Sequence, residues 1–199
     1  MTLFNENNFE ALKLLYKLYS PVKDEGLKPI SDKFKQQLTL QGRTLVESTE
    51  TVSNGKELPL RTIMANSQLV EKVIDMHNHF KSMIAQCFQN DSLFDRQLQI
   101  SFQDFMNIDV GKFSMAELLA FYADKVLRKG GIKGEKKEIE ERLDCLAIIF
   151  SYLNDKDLFL LVYRNLLARR LLQETYEDFE LEKLLVTRLK VTCGMQQMN

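Results

Sequence analysis

Glycine and proline are scarce, at 8 and 3 of 199 residues, too few for an all-β protein built on tight turns. Cysteine is equally rare: Cys87, Cys145 and Cys193 are odd in number, far apart and outside any CxxC pair. A disulfide framework is thereby excluded, and the chain reads as reduced and intracellular, with small apolar thiols in its core. There is no surplus of either charge, since 27 Lys and Arg stand against 28 Asp and Glu, so bulk attraction to nucleic acid or an anionic membrane is absent. No apolar run approaches the ~20 residues that span a bilayer, and the opening MTLFNENNFEALK lacks the apolar core of a signal peptide. The expectation is a soluble protein of cytosol or nucleus.

Histidine is limited to His77 and His79. In a helix, residues two apart point roughly 200° from each other, so both imidazoles cannot reach one ion. With no HExxH and no cysteine pair, no metal ligand set is predicted, and His77 reads as a hydrogen-bonded core residue. Nucleophilic catalysis needs Ser or Cys with a histidine and an orienting carboxylate in reach, and two histidines on one helix give it little support. No catalytic, cofactor-binding or metal residue is assigned. The run Gly130-Gly131-Ile132-Lys133-Gly134 lacks the GxxxxGK[ST] spacing and a preceding strand, so it reads as a connection between helices.

What is present is helical. Apolar residues make up 45% and charged residues 28%, near the averages for globular chains, and the length fits one or two domains. Leu, Lys, Glu and Gln dominate the periodic segments. Phe9, Leu12, Leu15, Tyr16 and Tyr19 form a helical stripe capped by Asn7 or Asn8 and ended by Ser20-Pro21. A second helix over about 23–47 carries Leu27, Ile30, Phe34, Leu38 and Leu45, and Pro29 should kink or divide it unless it opens the main helix. Residues 48–60, with Asn54-Gly55, read as a loop. A third helix from Asn66 or Ser67 to about Phe88 has Val70, Val73, His77, Phe80, Ile84 and Cys87 as its seam. A fourth starts at Asn90-Asp91, carries Phe94, Leu98, Phe102 and Phe105, and runs out at Asn107. Residues 107–113 read as a hinge between two helical units, placing domains at 1–110 and 111–199.

In the second half, Ser114-Met115-Ala116-Glu117 spells a capping box. Its helix, with Leu118, Leu119, Tyr122, Val126 and Leu127, ends at Arg128-Lys129 and stops at Gly130-Gly131. Ile139, Leu143, Leu146, Phe150 and Leu153 form the next stripe. A polar corner, Asn154-Asp155-Lys156-Asp157, can cap the helix after it. That helix opens with five apolar residues, Leu158 to Val162, so it should be covered on more than one side, and Arg169 and Arg170 suit its negative end. A last helix, about 176–192, turns Leu181, Leu184, Leu185 and Leu189 inward and stops at Gly194. The fold class is all-α: a stacked helical repeat followed by an antiparallel bundle, about eight helices in all.

The densest positive stretch is Lys125, Arg128, Lys129, Lys133, Lys136 and Lys137. It reads either as a solvated helix end and loop or as an electrostatic contact for an acidic partner, for which Arg128, Lys129, Lys133, Lys136 and Lys137 are the candidates. Without interleaved aromatics it gives weak support to nucleic-acid binding.

The run Phe150, Tyr152, Leu153, Asp155, Lys156, Asp157, Phe159, Tyr163, Leu167, Ala168, Arg170, Leu171 and Leu172 resembles the cullin signature F-x-Y-[IL]-x-D-K-D-x-F-x-x-x-Y-x-x-x-L-A-x-R-L-L. Leu118, Leu119, Tyr122, Asp124, Leu127, Arg128 and Lys129 are similar to the family element L-L-x-x-Y-x-D-x-x-L-[RK]-K. Phe105-Met106-Asn107 and Leu189, Lys190, Cys193, Gly194 match two further family endings. The resemblance implies the middle of a cullin, the scaffold of cullin-RING ubiquitin ligases: the end of the repeat stalk and the start of a four-helix bundle. It implies a scaffold without catalytic residues or cofactors, whose full-length relatives hold a substrate adaptor at one end and a RING-box protein and a neddylation site at the other. The family continues beyond C-G, whereas this sequence ends MQQMN, so no adaptor, RING or neddylation residue is carried over. Without a further bundle helix, Leu184, Leu185 and Leu189 are expected to lack part of their cover, and the isolated segment to self-associate.

Overall fold

In the computed structural model, residues 8–53, 59–110 and 113–194 are described, with the backbone alone for 23–25, 49–53 and 59–66. Among the described residues there are eight α-helices and no strand: α1 Phe9–Tyr19, α2 Lys23–Ser53, α3 Pro59–Cys87, α4 Ser92–Phe105, α5 Met115–Leu127, α6 Lys136–Ser151, α7 Lys156–Leu172 and α8 Phe179–Cys193. The chain divides into two compact units, Met1–Ser48 with Asp75–Phe105, and Thr49–Ile74 with Met106–Asn199. The division is discontinuous because α2 and α3 each contribute to both units.

In the first unit, α1 is capped by Asn8, whose Oδ1 accepts from the Ala11 N–H at 3.1 Å. The chain then passes through one 3₁₀ turn, Ser20–Val22, directly into α2, so Ser20-Pro21 bends the path rather than opening a loop. Pro29 neither opens nor divides α2. It removes one backbone donor from the helix, and beside it Ser31 Oγ donates to the Lys28 carbonyl at 2.9 Å. The expected loop over 48–60 is helical at both ends, since α2 reaches Ser53 and α3 opens at Pro59; Asn54-Gly55 lies outside the described residues. Pro59 is the first residue of its helix, where no N–H is required.

The core of this unit is aromatic. Phe88 and Phe94 stack at 3.9 Å, and Phe34 meets Phe80, Phe88 and Phe94 edge-on at 5.4–6.2 Å. The turn joining α3 to α4 puts two successive non-glycine residues, Gln89 and Asn90, at positive φ, so α4 starts immediately with Asp91 accepting from the Leu93 N–H. Gly42 on α2 lies against the buried Phe105 ring with no room for a Cβ. His77 is buried edge-on to Phe102 at 5.2 Å, while His79 lies against Phe9 and Phe80. All three cysteines are free thiols; Cys87 is buried, Cys145 and Cys193 half-buried.

In the second unit, α5 packs on α6 and α7, and α6 on α8. The seams predicted for α5 and α6 are all buried. One expectation is corrected. Leu185 and Leu189 are completely buried and Leu184 half-buried, because α6 already covers that face of α8. The apolar opening of α7 is covered on more than one side, with Phe159 and Leu160 buried and Leu158 and Val162 half-buried, while Leu161 is left 61% exposed.

Replacing Gly42 by Ala adds a Cβ where the Phe105 ring lies. Overpacking costs about 1–3 kcal/mol, against about 1 kcal/mol gained in helix propensity. A lower denaturation midpoint is expected, and a higher one would show that Phe105 gives way. Burial holds the His77 pKa below 6.5, helped by Lys81 and opposed by Asn78 and Asp95. Its stabilising effect is therefore complete above the unfolded value and is lost as pH falls through the folded one. His77→Phe should flatten the fall in unfolding free energy between about pH 6.5 and pH 5 relative to the parent; parallel curves would show that His77 does not titrate with unfolding.

Candidate functional site

The organising feature of the second unit is a buried ion cluster shared by three helices. α5 starts with a reciprocal capping box: the Glu117 N–H donates to Ser114 Oγ at 3.2 Å, and the Ser114 N–H to Glu117 Oε2 at 3.0 Å. It ends at Leu127 because Arg128 is extended and Gly130 adopts φ +70°, and Gly131 lies so close to the Lys125 carbonyl that no side chain fits there. Beyond α7 the chain runs alongside this end. The Lys129 N–H donates to the Thr175 carbonyl at 2.8 Å and the Glu177 N–H to the Leu127 carbonyl at 2.9 Å. Asp178 then caps α8 by accepting from the Glu180 N–H at 2.8 Å and receives Lys136 Nζ from the start of α6, also at 2.8 Å. The lysine hydrogen bond, followed by that N–H, holds the Asp178 carboxyl below its ordinary pKa.

These connections bring Asp124, Arg170 and Glu182 together. The Arg170 guanidinium is fully buried. Its Nε and Nη2 donate to the two oxygens of Glu182 at 2.7 and 2.9 Å, and its Nη1 donates to Asp124 Oδ1 at 2.6 Å. Arg128 Nη2 donates to the other Asp124 oxygen at 2.7 Å, so two arginines face two carboxylates and the cluster is neutral. Burial works against the Arg170 charge, but the hydrogen bonds to Glu182 and Asp124 outweigh it and hold its pKa above the ordinary arginine range. The guanidinium lies 5.7 Å from the centre of the Tyr163 ring. Burial foremost, then the Glu182 charge, pushes the Tyr163 phenol far up, so it keeps its proton at neutral pH. Tyr163 stacks on Phe159 at 5.8 Å, and Phe159 meets Phe150 at 4.7 Å.

The other end of α7 is fixed by the polar corner. Asp155 accepts from the Leu158 N–H at 2.9 Å and Lys156 Nζ donates to the Leu153 carbonyl at 2.8 Å, while Asp157 is exposed. Asn107 clamps the corner from outside: its Nδ2 donates to the Tyr152 carbonyl at 3.2 Å and its Oδ1 accepts from the Asn154 N–H at 2.8 Å. Of the signature residues, Phe150, Tyr152, Phe159, Tyr163 and Arg170 are buried, whereas Ala168, Leu171 and Leu172 are exposed. In the basic stretch, Arg128 and Lys136 pair with Asp124 and Asp178, and Lys129 Nζ donates to the Glu174 carbonyl at 3.2 Å. Lys133 and Lys137 are exposed. Among the described residues no group of three or more His, Cys, Asp or Glu is placed to hold a metal.

Chemically, the cluster is a joint. Within it each of the four charges faces a partner of opposite sign. Sequence reasoning placed Arg170 at a helix end and overlooked Glu182 and the clamp made by Asn107. A signal existed, because Arg170 lies eleven and seven residues beyond Phe159 and Tyr163, on the same inward face of α7. A cation on a buried seam requires inward carboxylates elsewhere. Arg170→Met should destabilise the protein by about 3–5 kcal/mol, because Glu182 and Asp124 would remain buried without their partner. Denaturant titration checks this, and restoring half or more of the loss by adding Glu182→Gln and Asp124→Asn would identify stranded charge as its cause.

The family model described as the cullin alpha solenoid domain matches residues 1–199. The chain is 36% identical over 197 residues to Cullin-1 of Oryza sativa subsp. japonica, across 98% of this chain and 26% of that protein. It is 34% identical over 197 residues to Cullin-2 of Arabidopsis thaliana, with the same coverage of 98% and 26%. It thus spans about a quarter of the length of the curated relatives it matches. With its all-helical architecture and a family match along its entire length, this chain belongs to the cullin family.

Proposed function

We propose that this chain is a non-catalytic, rigid scaffold segment of a cullin-RING ubiquitin ligase, serving ubiquitin-dependent protein breakdown by holding a substrate adaptor and a RING-bound conjugating enzyme at a set separation. The observation that carries the reading is the Arg170 joint: one buried guanidinium ties α5, α7 and α8, so these helices cannot shift independently without stranding a charge. Fixing the distance between two reactants converts a chance encounter into a positioned one, which accelerates transfer without chemistry in the scaffold itself. In this reading residues 1–110 are the last cullin-repeat unit and 111–199 belong to the four-helix-bundle region. Adaptor and RING-box protein bind other parts of the full-length product. Lys133 in the α5–α6 connection and Lys137 in the first turn of α6, both exposed, offer contacts to an acidic partner.

The test is affinity purification of the full-length product that carries this chain. A RING-box protein and a substrate adaptor should be recovered together, and the complex should extend ubiquitin chains on the adaptor's substrate. Recovery of neither would make the chain a freestanding helical interaction module instead.

A further inference from the structure

The outward face of α7 takes no part in the joint. Of the five apolar residues that open the helix, Leu161 is left outside at 61% exposure, and at the far end Leu172 is 86% exposed. At 100° per residue, Leu161, Ala168 and Leu172 fall within roughly 40° of one another. They form a straight ridge, with its two leucines roughly 16 Å apart along the axis. The small Ala168 leaves a saddle between them, and Leu171, 38% exposed, borders the ridge. Single exposed leucines need no explanation, but an aligned pair on a helix anchored at both ends is the pattern of a docking surface.

The charges beside the ridge select the occupant. Arg164 and Arg169 flank it on opposite sides, both exposed, and among the described residues neither pairs with a carboxylate. Arg43 and Arg188, also exposed, do pair, with Asp104 and Asp144 at 2.7 Å each, whereas Arg96 on α4 is exposed without a carboxylate partner among the described residues; what distinguishes Arg164 and Arg169 is that they flank exposed leucines. The acid on this face is Asp157, at the helix start and about two turns from Arg164. A second copy fits badly. In the antiparallel register that sets Leu161 on Leu172 of the other copy, each flank of the ridge carries the same arginine from both copies, Arg164 beside Arg164 and Arg169 beside Arg169, roughly 8 Å apart along the axis, and like charges so placed oppose association.

We propose that this face docks an acidic amphipathic helix of another protein, whose apolar side chains straddle Ala168 between Leu161 and Leu172 while carboxylates engage Arg164 and Arg169. The arginine fork suits bidentate pairing with carboxylates, and the leucines supply the dry centre. This proposal does not rest on the ligase reading above.

Two synthetic helical peptides test it with the 199-residue chain. Both carry leucine at heptad positions a and d; one has glutamate at e and g, the other lysine. Fluorescence anisotropy should show saturable binding of the glutamate peptide, at least about tenfold tighter than the lysine peptide and weakening as salt rises. Leu161→Gln with Leu172→Gln should weaken it about tenfold or more, and Arg164→Glu with Arg169→Glu should reverse the preference between the peptides. Both double variants change exposed side chains, so unchanged thermal melts would show that folding is intact. A preference below tenfold, indifference to either double variant, or absence of binding overturns the proposal. So does self-association of the chain that the leucine variant abolishes, which would make a second copy the occupant, and so does binding to phosphatidylserine vesicles in place of the glutamate peptide.

Discussion

One guanidinium is the constraint on which the second unit depends. Arg170 enters a region closed to water, where an unpaired charge would be untenable, and its planar fork is what permits the burial. Nε and one terminal nitrogen address Glu182 on α8, and the other terminal nitrogen addresses Asp124 on α5. A lysine offers three donors from a single point and could not span two carboxylates on different helices in the same way. The arrangement also sets register. Turning α8 by one residue would swing Glu182 through about 100° and leave the guanidinium half paired. A buried ion pair is weak support for net stability, since hydrophobic replacements can do as well. Its contribution is that a single alignment of α5, α7 and α8 satisfies it.

Backbone pairing around the joint serves the same alignment. The segment after α7 bonds to the end of α5 through Lys129 to Thr175 and Glu177 to Leu127, so the two helix ends are held before any side chain is counted. At the opposite end of α7, Asn107 uses both halves of its carboxamide on the chain before Asp155. The first unit reaches order by another route. Its cross-helix ion pairs, Arg43 with Asp104 and Lys81 with Asp95, lie near the surface, where such pairs are worth about 0–1 kcal/mol. The cohesive element there is the aromatic cluster of Phe34, Phe80, Phe88 and Phe94, which is insensitive to salt and specific through ring geometry.

This contrast bears on the scaffold reading. A segment that transmits position needs helices that do not slide, and interlocked rings and a shared buried charge are two ways to prevent sliding. Neither requires a cleft or a reactive group. The exposed arginines and leucines of α7 take no part in either arrangement.

What the sequence by itself determined was everything that depends on near neighbours along the chain. The seams of α3 through α6, the capping box at Ser114 and Glu117, the cap at Asp155 and the stops at Gly130 and Gly194 follow from spacings of three or four residues and from local hydrogen bonding, and the structure carries them as read. The expected loop over 48–60 failed because a polar helix and a polar loop share a composition, and Pro59 starts a helix as readily as it ends one. Only the tertiary structure decided that Arg170 is buried and Leu161 is not. A period of 3.6 residues identifies an apolar face, but Asp124 lies 46 residues from Arg170 and Glu182 lies 12 away across a turn. Whether a charge can be buried, or a leucine left in water, is settled by which other helices arrive at that face.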